Sequence, residues 1–496
     1  MTQSNKFKKI LITSSVIIPI VFSSVSAAPS EKSKRVFDYW TAERIAKAIP
    51  RQMVKDRKGL GYIKRPNGDL IPHGHSKLTQ LDAGGKKLPM AKPGGGGNDS
   101  TPPSVTHIEP ANGAIIGASQ RFAANVTDAS GVRSVTIVIS PPSGAAQSFA
   151  ASNSSGDVWE VNLSGFTDSS GWSWHVSATD SAKGKGNSTT SSATSFDVDT
   201  GSGGGGGGGS NPDAIANEHW SHGGDVQTAV GRIFFEMPTN SRRKRWNGYV
   251  CSGTVSTDGT TGRSVIITAA HCVYDDANKS FARNVIFIPN QDGTTGTGTD
   301  TNCSNDPLGC WATAFAVVDS NYATRTFPNN SAWDYAYYVV EDSGAHSGTS
   351  ASSEALDNAT ATLPVDFSQP FFDVGTTSTD NDFTYGLGYS YSDDPNFMHC
   401  ADNLSTNGAT NWWIPICGMS GGSSGGPWVQ PMNTSTGSGQ IMSVNSWGYT
   451  DGSPGMAGPM LNGTSAQCLM NEASTISFAS IPSSDGDAGV SVNYCP

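Results

Sequence analysis

A serine in a glycine-rich turn, a histidine just past an apolar run and an aspartate between them in the chain could together perform nucleophilic catalysis. The serine is Ser424, in Gly422-Ser423-Ser424-Gly425-Gly426-Pro427-Trp428. A serine hydroxyl is a weak nucleophile at neutral pH and needs a base within hydrogen-bond reach. His271 supplies one, in Thr268-Ala269-Ala270-His271-Cys272 directly after Val265-Ile266-Ile267. A buried carboxylate must then orient the imidazole. Asp334 is the choice because it precedes the apolar run Tyr335 to Val340 and lies between His271 and Ser424. Asp319 is the rival, whereas Asp275 and Asp276 lie too near the histidine turn to reach back. Gly418-Met419-Ser420-Gly421-Gly422 is a second, overlapping Gly-x-Ser-Gly-Gly, but Pro427 and the following Trp428-Val429 favour Ser424. On that assignment the backbone N–H groups of Gly422 and Ser424 form an oxyanion hole.

Such groups must be held by short, buried elements. The chain has 496 residues, 58 of them glycine, and only 15% charged residues, which fits β-rich modules joined by linkers. Residues 211–496 carry short apolar runs at Ala229 to Phe235, Val265 to Thr268, Val285 to Ile288, Tyr335 to Val340 and Ile441 to Ser446. With little helical periodicity, this part is expected to be all-β. All eight cysteines fall in it, without a Cys-x-x-Cys pair, so disulfides are expected rather than a metal site. The sequential pairs 251–272, 303–310, 400–417 and 468–495 are favoured. The first would tie the strand entering the histidine turn to its neighbour.

The chain divides further. Lys6 to Lys9, the apolar Ile10 to Val21 and Val25-Ser26-Ala27 have the three regions of a secretory signal, giving a signal peptide over 1–27 and a secreted product. No later membrane segment is expected. Residues 28–92 carry fifteen Lys and Arg against six Asp and Glu, while residues 211–496 carry nine against 27. The first is an electrostatic complement to the second, which points to a basic prosegment docking on an acidic domain rather than to a nucleic-acid tail. Phe37, Trp40, Ile45 and Ile49 share a face of one helix that Pro50 stops. His73 and His75 read as solvated loop residues. After Gly94–Gly97, residues 101–199 lack cysteine and carry alternating runs at Arg121 to Val126, Val132 to Ile139, Val158 to Leu163, Trp172 to Ala178 and Phe196 to Val198, the pattern of an antiparallel sandwich. The stretch 200–210, with unbroken glycines from 203 to 209, is a flexible tether.

Val230-Gly231-Arg232-Ile233, Cys251-Ser252-Gly253-Thr254, the histidine turn, Trp333-Asp334-Tyr335-Ala336, the run from Cys417 to Trp428 and Ser446-Trp447-Gly448 resemble the chymotrypsin-like serine peptidases. The secreted microbial branch that includes glutamyl-endopeptidase-like enzymes is more similar still. That resemblance implies a double β-barrel, polypeptide substrates, an acyl-enzyme, no cofactor and no metal. It also implies that Ser446, Trp447 and Gly448 form a wall that pairs with the substrate backbone and borders the primary pocket. Gly418 stands where trypsin-like enzymes carry an aspartate, and Asn445 where glutamyl endopeptidases carry a histidine, so a neutral or apolar preference is expected. Ser423 replaces the aspartate that pairs with a freed amino terminus in animal-type zymogens, so latency is expected to rest on the prosegment instead. Ile108 to Gly113, Val126 to Val132 and Ala178-Thr179-Asp180 resemble bacterial immunoglobulin-like modules, which bind polymers or surfaces or space a neighbouring domain.

The sequence thus points to a secreted serine endopeptidase made as a precursor. The alternative from another class is a surface-binding, adhesive protein with an inactive peptidase domain. An esterase using the same three residues is disfavoured by the absence of a strand-to-helix Gly-x-Ser-x-Gly elbow.

Overall fold

The computed structural model describes residues 28–74, 100–198 and 211–495, apart from short breaks including 57–58, 298–301 and 482–487. The expected signal peptide over 1–27, His75, Gly94–Gly97 and the expected tether over 200–210 lie outside these residues. The architecture is all-β, with few helices.

Residues 211–495 are built on three large sheets, the third made of Ser405–Asn407, Asn411–Ile414, Met456–Pro459 and Trp447–Tyr449. The first orders its central strands as Arg283–Pro289, Val230–Pro238, Trp246–Ser256, Arg263–Thr268, Ala336–Glu341 and Phe315–Asp319. Val265, Ile266 and Ile267 are fully buried, as are Tyr335, Ala336 and Tyr337, so the runs flanking the histidine and the aspartate are interior strands. They are adjacent and antiparallel, with Thr268 opposite Ala336, and this register brings the two downstream turns together. The second system contains Ile215–His219, Met398–Asn403, Phe383–Gly388, Pro427–Val429 and Ile441–Val444, and carries the serine turn just before Pro427.

All four sequential cysteine pairs are joined, Cys251–Cys272, Cys303–Cys310, Cys400–Cys417 and Cys468–Cys495, which suits an oxidising environment. Within this all-β part a ten-residue helix spans Ala466–Thr475. It buries Leu469, Met470 and Ala473 against the first system, and its stripe is too short to stand out from the neighbouring apolar runs. Among the described residues no helix is long and apolar enough to cross a membrane.

Residues 100–198 form two sheets, one of Ser152–Ser155, Val158–Ser164, Ser119–Thr127 and Ser104–Glu109, the other centred on Ser169–Asp180 between Val132–Ser140 and Thr194–Val198. Phe122, Ile137, Trp174 and Phe196 lie in their common core. The Asp-x-Ser-Gly signal is a turn, in which Asp128 Oδ1 accepts from Ser130 N at 2.8 Å and Gly131 has φ +85°.

The N-terminal segment is docked on residues 211–495. The single helix expected from Phe37 to Ile49 is instead two, Glu31–Tyr39 and Ala42–Lys47, followed by the short strand Ile49–Pro50. Thr41 causes the break: its side chain accepts from Arg44 N, capping the second helix. Trp40, left extended at the break, packs on Phe234 and donates through Nε1 to Asn284 O at 2.5 Å. Val36, Trp40, Ile45 and Ala48 join one core with Phe234, Val250 and Ile286. The strands Gln52–Lys55, Gly61–Lys64 and Leu70–Pro72 then extend the sheet that contains Trp447–Tyr449.

Candidate functional site

His271 lies in a single tight turn, Ala270–Cys272, that ends the strand Arg263–Thr268. The Cys251–Cys272 disulfide fixes its far side. Asp334 is 1% exposed and grips the turn twice. Its Oδ1 accepts from His271 N at 2.8 Å, and its Oδ2 lies 2.8 Å from His271 Nδ1. A carboxylate on Nδ1 selects the tautomer with the proton there, leaving Nε2 as the free acceptor. Nε2 is buried and has no hydrogen-bond partner among the described residues. Ser446 Oγ also donates to Asp334 Oδ2, at 2.5 Å.

This last contact refines the expected role of Ser446. Its hydroxyl donates to the aspartate and its amide to Ala457 O at 3.0 Å, so besides lining the cleft with Trp447 and Gly448 it holds Asp334. Asp319, the rival carboxylate, instead caps the helix Ser320–Thr324 and accepts from Ser465 Oγ.

Ser424 is 5% exposed, in a turn pinned from three directions. Ser252 N donates to Ser424 O at 2.7 Å, Gly425 N donates to Asn445 O at 2.8 Å, and Cys272 Sγ lies 3.7 Å from Ser424 O. Residue 424 is thus set beside the histidine turn. The hydroxyl, however, makes no hydrogen bond to His271; it is turned toward the N-terminal segment, 3.5 Å from Arg51 O. Among the described residues the amides of Gly422 and Ser424 have no acceptor, as an oxyanion hole requires. Gly422 has φ +100°, and a Cβ there would stand 2.8 Å from Tyr389 O. Ser420 Oγ accepts from Ser392 N at 3.1 Å and is bonded to Ser392 Oγ at 2.9 Å, so it serves the turn itself. Ser423 Oγ donates to Ser420 O at 2.9 Å.

Asn445 is a scaffold that sequence reasoning missed. Its Nδ2 donates to Leu387 O at 2.7 Å and Ser423 O at 2.9 Å, and its Oδ1 accepts from Trp428 Nε1 at 2.7 Å. Gly425 is equally constrained, with φ +82° and a notional Cβ only 2.0 Å from Thr268 Oγ1. Gly425→Ala is therefore expected to destabilise by about 3–5 kcal/mol and to lower the thermal midpoint measurably in calorimetry.

Beside Ser424 opens a cavity of about 770 Å³, lined by Gly418, Met419, Trp447, Gly448 and Met456 and also by Pro50, Gln52, Met53, Val54, Lys64, Arg65 and Pro66 of the N-terminal segment. Gln52–Lys55 pairs parallel with Trp447–Tyr449, Met53 opposite Trp447 and Lys55 opposite Tyr449. Ile49–Pro50 pairs parallel with Tyr249–Val250 on the other side of the serine. Between them the Arg51 side chain, 1% exposed, turns inward toward Asp275 Oδ2 at 3.9 Å and over the Tyr249 ring. His73, expected to be solvated, is instead 5% exposed with Nε2 2.5 Å from Asp276 Oδ1. Its partner lies 203 residues further along the chain, where local composition gives no sign of it. Burial alone would raise the Asp276 carboxyl. His73, Arg51 and the Phe327 N–H together hold it well below the usual carboxylate range.

No protein-family model and no curated protein matches the chain. Among solved structures, an endo-β-1,4-mannanase from Thermotoga petrophila is similar over 20% of each chain, at 13% identity and a TM-score of 0.17, so the chain spans a fifth of its length. A DUF4785 family protein from Legionella pneumophila is similar over 44% of this chain and 76% of that one, at 11% identity and a TM-score of 0.18. Similarity this slight bears on neither the fold nor the site.

Proposed function

We propose that the chain is the precursor of a secreted serine endopeptidase, held latent by its own N-terminal leader. The observation that carries this reading is the Asp334–His271 pair with a free Nε2, next to a serine turn whose two amides are unused. The sheets of residues 211–495 are read as the two barrels of a chymotrypsin-like domain, and the two sheets of 100–198 as an immunoglobulin-like sandwich.

In the mechanism, His271 Nε2 takes the Ser424 proton as Oγ attacks the carbonyl carbon of a polypeptide substrate. The Gly422 and Ser424 amides donate to the oxyanion. His271 then returns the proton to the leaving amine, and the acyl-enzyme is hydrolysed by water activated by the same imidazole. Asp334 and Ser446 act through the histidine, holding its tautomer and direction. The residue that donates the acyl group places its side chain in the cavity walled by Met419, Gly448 and Met456. No charged side chain of residues 211–495 lines that cavity, which supports a neutral or apolar preference.

A substrate's residues preceding the scissile bond would then lie along the Trp447–Tyr449 wall. The leader places there the residues that follow Arg51, so it threads the cleft in the opposite sense. Its Arg51 carbonyl approaches Ser424 while the leaving-amine side is filled by the preceding residues, an arrangement that covers the site without offering a bond in productive register.

Asp334→Asn is the test of the proposed relay. It keeps the side-chain shape but favours the wrong imidazole tautomer, and kcat for peptide hydrolysis is expected to fall roughly 10⁴-fold with KM little changed. An unchanged kcat would remove Asp334 from the relay.

A further inference from the structure

The peptidase reading gives no role to the two aspartates that follow the histidine turn. Asp275 and Asp276 are 4% and 0% exposed, on the loop entered directly from His271-Cys272-Val273-Tyr274. Part of their hydrogen bonding is internal. Asp275 Oδ1 accepts from Ala277 N and Asn278 N at 3.1 and 2.9 Å, and Oδ2 from Asn278 Nδ2 at 3.1 Å. Asp276 Oδ2 accepts from Phe327 N at 2.7 Å and Asn330 Nδ2 at 2.8 Å.

Their countercharges come from elsewhere. Among the described residues, the ion-pair partners of both aspartates belong to the leader: Arg51 for Asp275, His73 for Asp276. Lys279, on the same hairpin, feels both carboxylates through space but pairs with neither, donating instead to Ala323 O at 2.8 Å and Arg325 O at 2.7 Å. Removing the leader would therefore take away the direct ion-pair partner of each carboxylate and leave Lys279 as a more distant countercharge, a condition that costs stability unless a charge or water replaces the lost partners.

The shape of the vacated space is that of a cationic side chain. The Arg51 backbone sits at the serine, its N–H toward Val250 O at 3.4 Å and its carbonyl 3.5 Å from Ser424 Oγ, while its guanidinium reaches Asp275. The Tyr249 ring closes one side, 5.3 Å from the guanidinium carbon. Arg51 Nε and Nη2 are buried without an acceptor, and so is the Tyr322 hydroxyl. The leader's arginine thus fits the space while leaving donors unused, as a replaceable occupant would.

Resting on the peptidase reading, we infer that Asp275 and Asp276, with Tyr249 and Tyr322, form a subsite for a basic side chain of the substrate, distinct from the primary pocket. It lies across Ser424 from the cavity at Trp447–Gly448 and so takes a residue on the leaving-amine side. The leader blocks it with Arg51 in the precursor. Arginine is the better occupant because its planar fork carries several donors, two of which Arg51 leaves unused, whereas lysine offers a single point charge.

The test uses the leader-free protein and peptides scanned with arginine against citrulline, its uncharged isostere, at each position around the scissile bond, together with fluorophosphonate labelling of Ser424. The expected result is a kcat/KM ratio of about tenfold or more in favour of arginine at one leaving-side position, reduced to within about threefold in Asp275→Asn or Asp276→Asn. A labelled protein with ratios near one at every position overturns the subsite and leaves the peptidase reading standing. A tenfold ratio that survives in both variants and in the double variant also overturns it. Absence of both labelling and hydrolysis overturns the peptidase reading, and the subsite with it.

Discussion

Ser424→Ala is expected to reduce peptide hydrolysis by roughly five to six orders of magnitude in kcat, while Ser420→Ala stays within a few-fold of the parent. The difference follows from what each hydroxyl touches. Ser424 stands beside the histidine turn, with unused amides at 422 and 424. Ser420 is committed to Ser392, and its loss removes hydrogen bonds in a partly exposed turn. Substrate turnover by purified variants separates the two overlapping Gly-x-Ser-Gly-Gly readings. Loss of activity in Ser420→Ala alone would reverse the assignment.

The second large effect concerns the leader. Residues 28–92, added as a separate peptide, are expected to inhibit the leader-free protein, and Arg51→Ala is expected to weaken that inhibition by roughly 30-fold to a few thousandfold. Truncating one partner of a buried charge pair costs about 2–5 kcal/mol, because the other charge stays buried. Met53 and Val54, nearly inaccessible in the docked leader, supply an apolar anchor that this variant leaves intact. The inhibition should also depend on pH in a definite direction. The part of the Asp276 depression due to His73 and Arg51 exists only while the leader is docked. A carboxyl with a lowered pKa in the bound state stabilises binding above its ordinary value, near 4, and loses that contribution as the pH falls through the lowered one. Inhibition constants measured downward from pH 5 are expected to rise below about pH 4; constants that stay flat over that range would contradict the assignment.

The parts of the structure legible in the sequence are those written locally. The run Val265-Ile266-Ile267 is an interior strand because continuous apolar β-branched residues suit a strand buried on both faces. The sequential cysteine pairs are joined because each links neighbouring elements. Pairings across the chain were not legible. Nothing near His73 announces Asp276, and nothing near Arg51 announces Asp275, since neither ion pair leaves a periodic or compositional trace. The net charges of the two segments gave the attraction between them but not its contacts. The broken N-terminal helix belongs to the same class: Thr41 is a visible cap, yet only the Phe234 surface explains why Trp40 leaves the helix to pack there. Ser446 lines the cleft with its neighbours Trp447 and Gly448, and its hydroxyl also donates to Asp334, a contact across 112 residues that leaves no local trace.

The most direct measurement of the central claim is active-site labelling with a fluorophosphonate, located by peptide mass spectrometry, on the full chain and on the leader-free protein. The account predicts a single adduct on Ser424 in the leader-free protein, lost in His271→Ala and strongly slowed while the leader is docked. An adduct on Ser420, labelling that persists without His271, or no adduct on the leader-free protein would contradict it.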